Sequence, residues 1–130
     1  MQTVHRMMIN ILSNNLEASK HFYTTLFDFE VLYDSDWFLS MASKDKKHEL
    51  GIIQKDHEIV PSSLLNGTGS VYLTLITEDV NALFEKVRQT DFHILEEPRD
   101  TFYGQRRMLL QDPNHVVVDV SSPIPDFQFQ

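Results

Sequence analysis

The chain contains no cysteine, no long hydrophobic run and few positive charges, and each absence excludes a class of protein. Without cysteine there is no disulfide framework, no thiolate metal site and no cysteine nucleophile. The apolar stretch near the start is only a few residues long and is interrupted by Asn10, so it predicts neither a signal peptide nor a membrane span. We therefore expect a cytoplasmic protein. The sequon Asn66-Gly67-Thr68 then has no use, because glycosylation requires secretion.

Basic residues are scarce: 11 lysines and arginines stand against 19 acidic residues, which gives a net charge of −8. Nucleic acids and anionic membranes are themselves negative and would be repelled by such a surface. The basic clusters, at positions 44–47 and at Arg106 and Arg107, are too small to reverse this repulsion. The sequence therefore predicts neither nucleic acid nor a membrane as a partner.

Apolar residues make up 42% of the 130 positions, and their spacing predicts two helices and eight strands. This length suits one domain, 1–130, with a hydrophobic core. The helices cover 14–27, which opens with asparagines that can cap it, and 78–90, which opens with acidic residues. The strands cover 4–12, 29–34, 37–43, 48–54, 70–77, 92–97, 104–111 and 115–122.

The order strand, helix, three strands occurs twice, and a shift of 64 positions superposes the two halves. We interpret the halves as two βαβββ modules, at about 4–57 and 70–122, joined by a connector over 58–69. The predicted fold is α+β, with the two modules forming a cupped sheet around a cavity and the helices outside. The alternative is an α+β sandwich whose halves are alike by chance. The shift aligns Met8 with Tyr72, Ile11 with Leu75, Asn15 with Asp79, Leu16 with Val80 and Ala18 with Ala82.

A single carboxylate, Asp119, interrupts the β-branched run at the end of the second module. Side chains alternate between the faces of a strand, so Asp119 shares a face with Val117 and Ser121, away from Val118 and Val120. It points either at water or into a cavity that accommodates a carboxylate. The predicted shared interior favours the cavity.

Three stretches in this order, "HFYTTLFDFEVL", "EDVNALFEKVRQ" and "YGQRRMLLQDPNHVVVDV", resemble the vicinal oxygen chelate superfamily of glyoxalases, bleomycin-resistance proteins and extradiol dioxygenases. The resemblance extends from about Met7 to Ser122. It implies the cupped two-module fold and a homodimer, in some members with modules exchanged between chains. It implies much less about function, because this fold supports many chemistries.

In metal-dependent members, the resemblance implies ligands on the first and last strands of each module. Those positions fall on Met8 and Tyr72 in the first strands and on Asp119 in the last strand of the second module. In the first module Glu49, Gly51 and Ile53 all remain candidates. A thioether and a neutral phenol are poor ligands for the divalent ions such sites hold. We therefore expect no metal, no cofactor and no catalytic residue.

The histidines do not supply the missing ligands, because none has a metal-binding spacing to another. They fall at the ends of elements or on the polar side of a helix, which is typical of solvated or capping side chains. His115 stands where the family's turn has a glycine, and we interpret it as a turn residue. The six are His5, His21, His48, His57, His93 and His115.

A buried Asp119 requires a hydrogen-bond or charge partner, and Tyr72, Arg106 and Arg107 are the candidates. Aromatic and methionine side chains near it would be mostly core, yet they also suit a flat or partly cationic ligand. These side chains are Met8, Trp37, Phe38, Met41, Phe102, Tyr103 and Met108. The predicted ligand-binding residues are Met8, Trp37, Phe38, Glu49, Tyr72, Tyr103, Arg107 and Asp119.

Three functions fit this sequence. The leading one is a metal-free protein that binds and sequesters a small aromatic or cationic molecule. The second is a glyoxalase-like metal-dependent lyase, isomerase or dioxygenase. The third is a non-catalytic dimer with a vestigial pocket.

Overall fold

The computed structural model describes residue 3 and residues 6–60 and 71–128. The chain divides into two compact units, Met1–Thr68 and Gly69–Gln130. The first unit contains β1 (Ile9–Ser13), α1 (Leu16–Phe27), β2 (Glu30–Asp34), β3 (Phe38–Ala42) and β4 (Glu49–Gln54). The second contains β5 (Leu73–Ile76), α2 (Val80–Val87), β6 (His93–Asp100), β7 (Gln105–Gln111) and β8 (Val117–Pro123).

The sheet of the first unit has the order β1-β4-β3-β2, with β1 parallel to β4 and the other pairs antiparallel. Helix α1 packs on one face of this sheet. The hydroxyl of Ser13, on β1, lies 3.2 Å from that of Ser19, on α1, so Ser13 points to the helix side of the sheet. Apolar side chains fill the interface because both surfaces lose water there. The buried apolar residues of the unit include Ile11, Phe22, Tyr23, Leu26, Leu39, Met41, Leu50 and Ile52.

The sheet of the second unit repeats this arrangement, with the order β5-β8-β7-β6 and β5 parallel to β8. The backbone N–H of Val80 donates to the Ser122 hydroxyl at 3.1 Å, which marks the side of β8 that faces α2. The alternation of side chains then places Val118 and Val120 on the helix side, where both are fully buried.

The helix caps confirm the internal repeat. The Asn15 side chain accepts from the backbone N–H of Ala18, and 64 positions later the Asp79 side chain accepts from that of Ala82. Side chains that accept from the third residue of a helix fix where the helix begins. The two βαβββ modules of the prediction are therefore present, with element bounds that differ from it by a few residues.

The turn before β8 is also as predicted. His115 adopts a left-handed backbone, with φ 67°. The Asp112 carboxylate accepts from the backbone N–H of Asn114 at 2.7 Å and of Val116 at 2.9 Å, which closes the turn. His115 is therefore a turn residue.

Some predictions fall outside what the structure describes. His5, the sequon and most of the connector lie in residues that it does not describe. The cupping of the two sheets around one cavity stays a prediction, as does the single domain. Among the described residues, neither helix has the length and apolar character that crossing a membrane would require.

Candidate functional site

Each sheet has one face that points away from its helix, called here its open face. In the first unit the open face carries Asn10 on β1, Phe38 and Ser40 on β3, and Glu49 and Gly51 on β4. In the second unit it carries Thr74, Gln105, Arg107, Leu109, Asp119 and Ser121. The strand registers fix this division, because residues paired across a ladder share a face.

Asp119 lies on the open face of the second unit, as the alternation of its strand predicts, and is only 5% exposed. Its carboxylate accepts from the hydroxyl of Ser121 at 2.6 Å and from that of Thr74 at 3.2 Å. Tyr72, one of the three candidate partners, is 60% exposed and is not a donor to Asp119; Thr74, two residues further along the chain, donates instead.

The predicted arginine partners of Asp119 make ion pairs elsewhere. Arg106 lies on the helix side of β7 and donates to Asp100 at 2.6 Å. Arg107 does lie on the open face, opposite Ser121 in the ladder, but its charge partner is Glu96 at 4.0 Å. Asp119 is thus held by hydroxyl groups, of which strand alternation places Ser121 on the same face but does not identify Thr74.

The strand registers identify the position in the first unit that corresponds to Asp119. Thr74 pairs with Asp119, and 64 positions earlier Asn10 pairs with Gly51. A Cβ at Gly51 would lie 2.3 Å from Asn10 Oδ1, 3.2 Å from Phe38 Cε2 and 3.3 Å from Met8 Sδ. Of the three candidates left open, the equivalent position is therefore Gly51, where no side chain fits without movement of its neighbours.

Glu49 shares the open face with Gly51 but is already paired. Arg6 donates to both of its carboxylate oxygens through two guanidinium nitrogens. These hydrogen bonds hold the pKa of Glu49 below its ordinary value and raise that of Arg6. A carboxylate held in this way has little remaining capacity to bind a cationic ligand.

The residues at the family's metal-ligand positions do not fit a divalent metal. They supply a thioether at Met8, a phenol at Tyr72, no side chain at Gly51 and one carboxylate at Asp119, whose oxygens accept hydroxyl hydrogen bonds. Zinc and similar ions take imidazole nitrogens or carboxylate oxygens from about three side chains. Within residues 6–60 and 71–128 no three histidine or acidic side chains lie close enough to share an ion.

Trp37, the only tryptophan, stacks on His57 with ring centroids 4.1 Å apart and planes 14° from parallel. Trp37 also contacts Phe38, with centroids 5.4 Å apart. His57 also accepts from the backbone N–H of Ile59 at 3.2 Å, so it caps the local backbone as predicted and stacks on Trp37 as well. The backbone N–H of Gln54 donates to the backbone oxygen of Trp37 at 2.8 Å, which brings the segments of Trp37 and His57 together. No local sequence pattern predicts this pairing.

The predicted methionines divide according to the strand faces. Met41 and Met108 point to the helix sides of their sheets and are fully buried, so they belong to the core and not to the open faces. Met8 lies near Gly51 on the first open face. Counting strand alternation from Leu39 and Leu110 would have separated these roles.

A pocket of about 340 Å³ lies at the end of the β6–β7 hairpin. Two of its lining residues, Tyr103 and Arg107, were predicted to bind a ligand. The other four were not: Arg99, Asp100, Thr101 and Phe102. Phe102 is 90% exposed, so the prediction that it contributes to the interior is wrong. Hydrogen bonds from Arg106 hold the pKa of Asp100 below its ordinary value.

Three buried polar atoms on the second open face lack hydrogen-bond partners within the described part of the chain: Glu96 Oε1, Gln105 Oε1 and Arg107 Nε. An unsatisfied buried donor or acceptor costs about 1–3 kcal/mol, and more for a charged group. Such groups are therefore candidates for contact with a ligand or water. The arrangement can hold a small polar group without any metal.

The fold of this chain is similar to that of several solved structures. TnmS3, an antibiotic-binding protein from Streptomyces sp. CB03234, has a TM-score of 0.72 and 24% identity, over 95% of this chain and 98% of that one. A glyoxalase/bleomycin resistance protein/dioxygenase family enzyme from Burkholderia phytofirmans PsJN has a TM-score of 0.77 and 18% identity, over 90% of this chain and 97% of that one. At these identities the likeness shows the fold alone.

Sequence comparison adds the family. The model of the Glyoxalase/Bleomycin resistance protein/Dioxygenase superfamily matches residues 4–120. A search of curated protein sequences found no match.

Proposed function

Because the chain belongs to the Glyoxalase/Bleomycin resistance protein/Dioxygenase superfamily, we propose that it is a metal-free protein that binds and sequesters a small molecule. One observation carries this proposal: the open face of the second unit holds buried polar atoms of Gln105 and Arg107 without partners. Pockets that bind small molecules combine apolar walls with a few such convergent polar groups. The antibiotic-binding function of TnmS3, a structural neighbour, supports the same class of activity.

The proposed ligand contains an aromatic ring. Tyr103 lines the hairpin pocket beside Arg107, and Phe102 lies next to it. In the first unit Trp37 and Phe38 form an aromatic pair. Aromatic side chains provide large rigid contact surfaces for flat ligands.

The predicted binding residues now have different roles. Arg107 and Tyr103 are proposed as direct ligand contacts, and Met8, Trp37, Phe38 and Tyr72 remain proposed contacts. Glu49 and Asp119 already have partners, which argues against a cation as the ligand. Asp119 instead fixes the orientation of Thr74 and Ser121 on the second open face.

Donor chemistry argues against the metal-dependent enzyme. Of the four positions where the family places metal ligands, only Asp119 offers a good ligand for a divalent ion, and its oxygens accept two hydroxyl hydrogen bonds. Direct measurement is simple. We expect metal analysis of the purified protein to give well below one equivalent of zinc, nickel, manganese or iron, and stoichiometric metal would overturn the proposal.

A homodimer and a single cytoplasmic domain are part of the proposal. Large apolar side chains are exposed along the edge strand β2, at Val31, Leu32 and Tyr33, and at Ile76 of the edge strand β5. Exposed apolar surface of this kind marks interaction sites. Sedimentation should give a dimer that Leu32→Glu or Ile76→Glu weakens, and a wild-type monomer at micromolar concentration would remove the dimer.

The binding function is tested with a panel of flat aromatic compounds, read out by thermal unfolding and by fluorescence of the single tryptophan. A ligand that binds only the folded state stabilises it by about 2.7 kcal/mol at a hundredfold excess over Kd. We expect saturable stabilisation by at least one compound, weakened in Arg107→Gln and retained in Arg88→Gln, a matched charge change outside the pocket. If no compound in a broad panel stabilises the protein, the pocket is vestigial.

A further inference from the structure

Two arginines face each other at the end of the β6–β7 hairpin. Arg99 and Arg107 are direct partners in the antiparallel ladder, so their side chains leave the sheet on the same open face. Both line the hairpin pocket. Like charges at directly opposed positions destabilise a pair of strands unless something neutralises them.

The available negative charge is insufficient for both arginines. A single oxygen, Glu96 Oε1, lies 3.1 Å from Arg99 and 4.0 Å from Arg107. Asp100 also lines the pocket, but its carboxylate accepts from Arg106 at 2.6 Å. The pocket therefore carries one positive charge in excess, on a chain whose net charge is −8.

Arg107 also has a buried donor without a hydrogen-bond partner in the described part of the chain. Its side chain is 25% exposed, and its Nε is buried without a hydrogen-bond partner among the described residues. A charged donor that has lost water and gained no acceptor is costly to bury. An oxyanion in the pocket would supply both the missing charge and the missing acceptor.

The rest of the pocket includes two aromatic side chains, and a hydrogen bond within the hairpin turn fixes its backbone. The ring of Tyr103 lies 5.3 Å from that of Phe102, at 89°. The Thr101 hydroxyl donates to the backbone oxygen of Gln105 at 2.8 Å, which fixes the turn between the strands. Gly104 has φ 92°, and a Cβ there would lie 2.8 Å from the ring of Phe127.

We infer that the hairpin pocket binds the carboxylate of an aromatic acid, with Arg107 and Arg99 on the carboxylate and Tyr103 against the ring. This inference rests on the proposed function and names the charge of its ligand. It replaces the cationic ligand that the sequence suggests, because the carboxylates expected to hold a cation, Glu49 and Asp119, have partners of their own.

The test uses three probes that share a naphthalene ring and differ in charge: 2-naphthoate, 2-naphthalenemethanol and 2-naphthylmethylammonium. Calorimetric titration of the full chain at pH 7 and low salt should give the lowest Kd for 2-naphthoate, by at least tenfold over the other two. Added salt should weaken the naphthoate most, since its binding depends on charge.

Variants separate a local site from a general charge effect. Arg107→Gln should weaken naphthoate at least tenfold and leave the alcohol nearly unchanged. Arg99→Gln should act in the same direction, and its 66% exposure makes it a safe substitution if Arg107→Gln fails to fold. Arg88→Gln, at the residue that follows α2, removes the same charge elsewhere and should have little effect.

The outcomes distinguish this inference from the proposed function. Equal binding of the three probes, or equal loss in Arg88→Gln and Arg99→Gln, would overturn the carboxylate site while leaving small-molecule binding intact. If neither these probes nor a broad aromatic panel binds, both the inference and the proposed function fail.

Discussion

At the same place in two equivalent ladders, the first unit has Gly51 beside Asn10 and the second has Asp119 beside Thr74. In the first unit Met8, Asn10 and Phe38 crowd the space that a side chain at Gly51 would need. In the second, two hydroxyls hold a carboxylate there. On the first open face, neighbouring side chains fill the space beside Gly51, whereas the second open face carries a hydrogen-bonded carboxylate at the equivalent position.

The helix sides of the two units resemble each other far more than the open faces do. Asn15 and Asp79 cap their helices through the same third-residue bond. Buried apolar side chains occupy the sheet surface beneath both helices. Packing restricts the helix side, because cores tolerate few changes of volume or polarity. The open faces carry no helix and differ in charge and shape, so we place function there and in the second unit.

The largest effect is expected on the helix side of the first unit. Phe22 is fully buried, with its ring 4.9 Å from that of Tyr23. Phe22→Ala should lower the free energy of unfolding by about 3–5 kcal/mol, because it leaves a large cavity. Val87→Ala, at one of the two buried positions of α2, should cost only about 2 kcal/mol. Urea unfolding measures both.

The exposed Leu95→Ala serves as the control for these core variants and should change stability by no more than about 0.5 kcal/mol. If Phe22→Ala and Val87→Ala cost the same, the larger side chain of Phe22 stabilises the fold no more than a valine does. The contrast between the two helix interfaces would then be lost.

The second prediction exchanges the two open faces at their equivalent position. Gly51→Asp places a carboxylate where Asn10, Phe38 and Met8 leave no room, and Asn10 stands in the place of the donor Thr74. Overpacking and the burial of a charge together should lower the free energy of unfolding by about 2–4 kcal/mol. Gly51→Ala tests the steric part alone and should cost less. A stable Gly51→Asp protein would mean that the two faces are interchangeable.

Local signals predicted most of the fold. A helix cap, a turn or a strand period depends on residues within a few positions, so Asn15, Asp79 and His115 could be assigned correctly from their neighbours. The order of the predicted elements then revealed the repeat. Met41 and Met108 belong to the core, as expected for most of the aromatic and methionine side chains, and strand alternation would have separated them from Met8.

Long-range partners could not be predicted in the same way. Asp119 and Thr74 are 45 positions apart, and Glu49 and Arg6 are 43 apart. Several donors of similar chemistry compete for each carboxylate, and only the strand register selects among them. The hairpin pocket was missed for a related reason. Arg99 and Arg107 meet only because register shifts lie within β6, and bulges leave little trace in a sequence.

The third prediction concerns the carboxylate itself. Asp119→Ala leaves the hydroxyls of Ser121 and Thr74 without their acceptor and should lower the free energy of unfolding by about 1–3 kcal/mol. Asp119→Asn keeps one acceptor oxygen and should cost less. Naphthoate affinity, measured on the folded variants, should change little, since Asp119 is proposed to position its neighbours and not to contact the ligand. A more stable Asp119→Ala protein would instead mark the carboxylate as a strained functional group.

The smallest effect compares one ion pair from each unit. Arg6 lowers the pKa of Glu49 in the first unit, and Arg106 lowers that of Asp100 in the second, in both cases chiefly by hydrogen bonding. A carboxylate whose pKa is lower in the folded protein stabilises it above the unfolded-state pKa. That contribution is lost as the pH falls through the folded-state pKa. The unfolded values are about 4.3 for glutamate and about 3.9 for aspartate.

The loss should therefore begin below about pH 4.3 for Glu49 and below about pH 3.9 for Asp100. Exposed ion pairs contribute little, so both effects are small. Glu49→Gln should flatten the acid dependence of the melting temperature first, and Asp100→Asn should flatten it only at lower pH. Glu85→Gln, which removes the exposed pair with Arg88, is the control and should leave the dependence unchanged. If Glu49→Gln follows the wild-type curve between pH 5 and 3, the pair with Arg6 does not hold the open face of the first unit together.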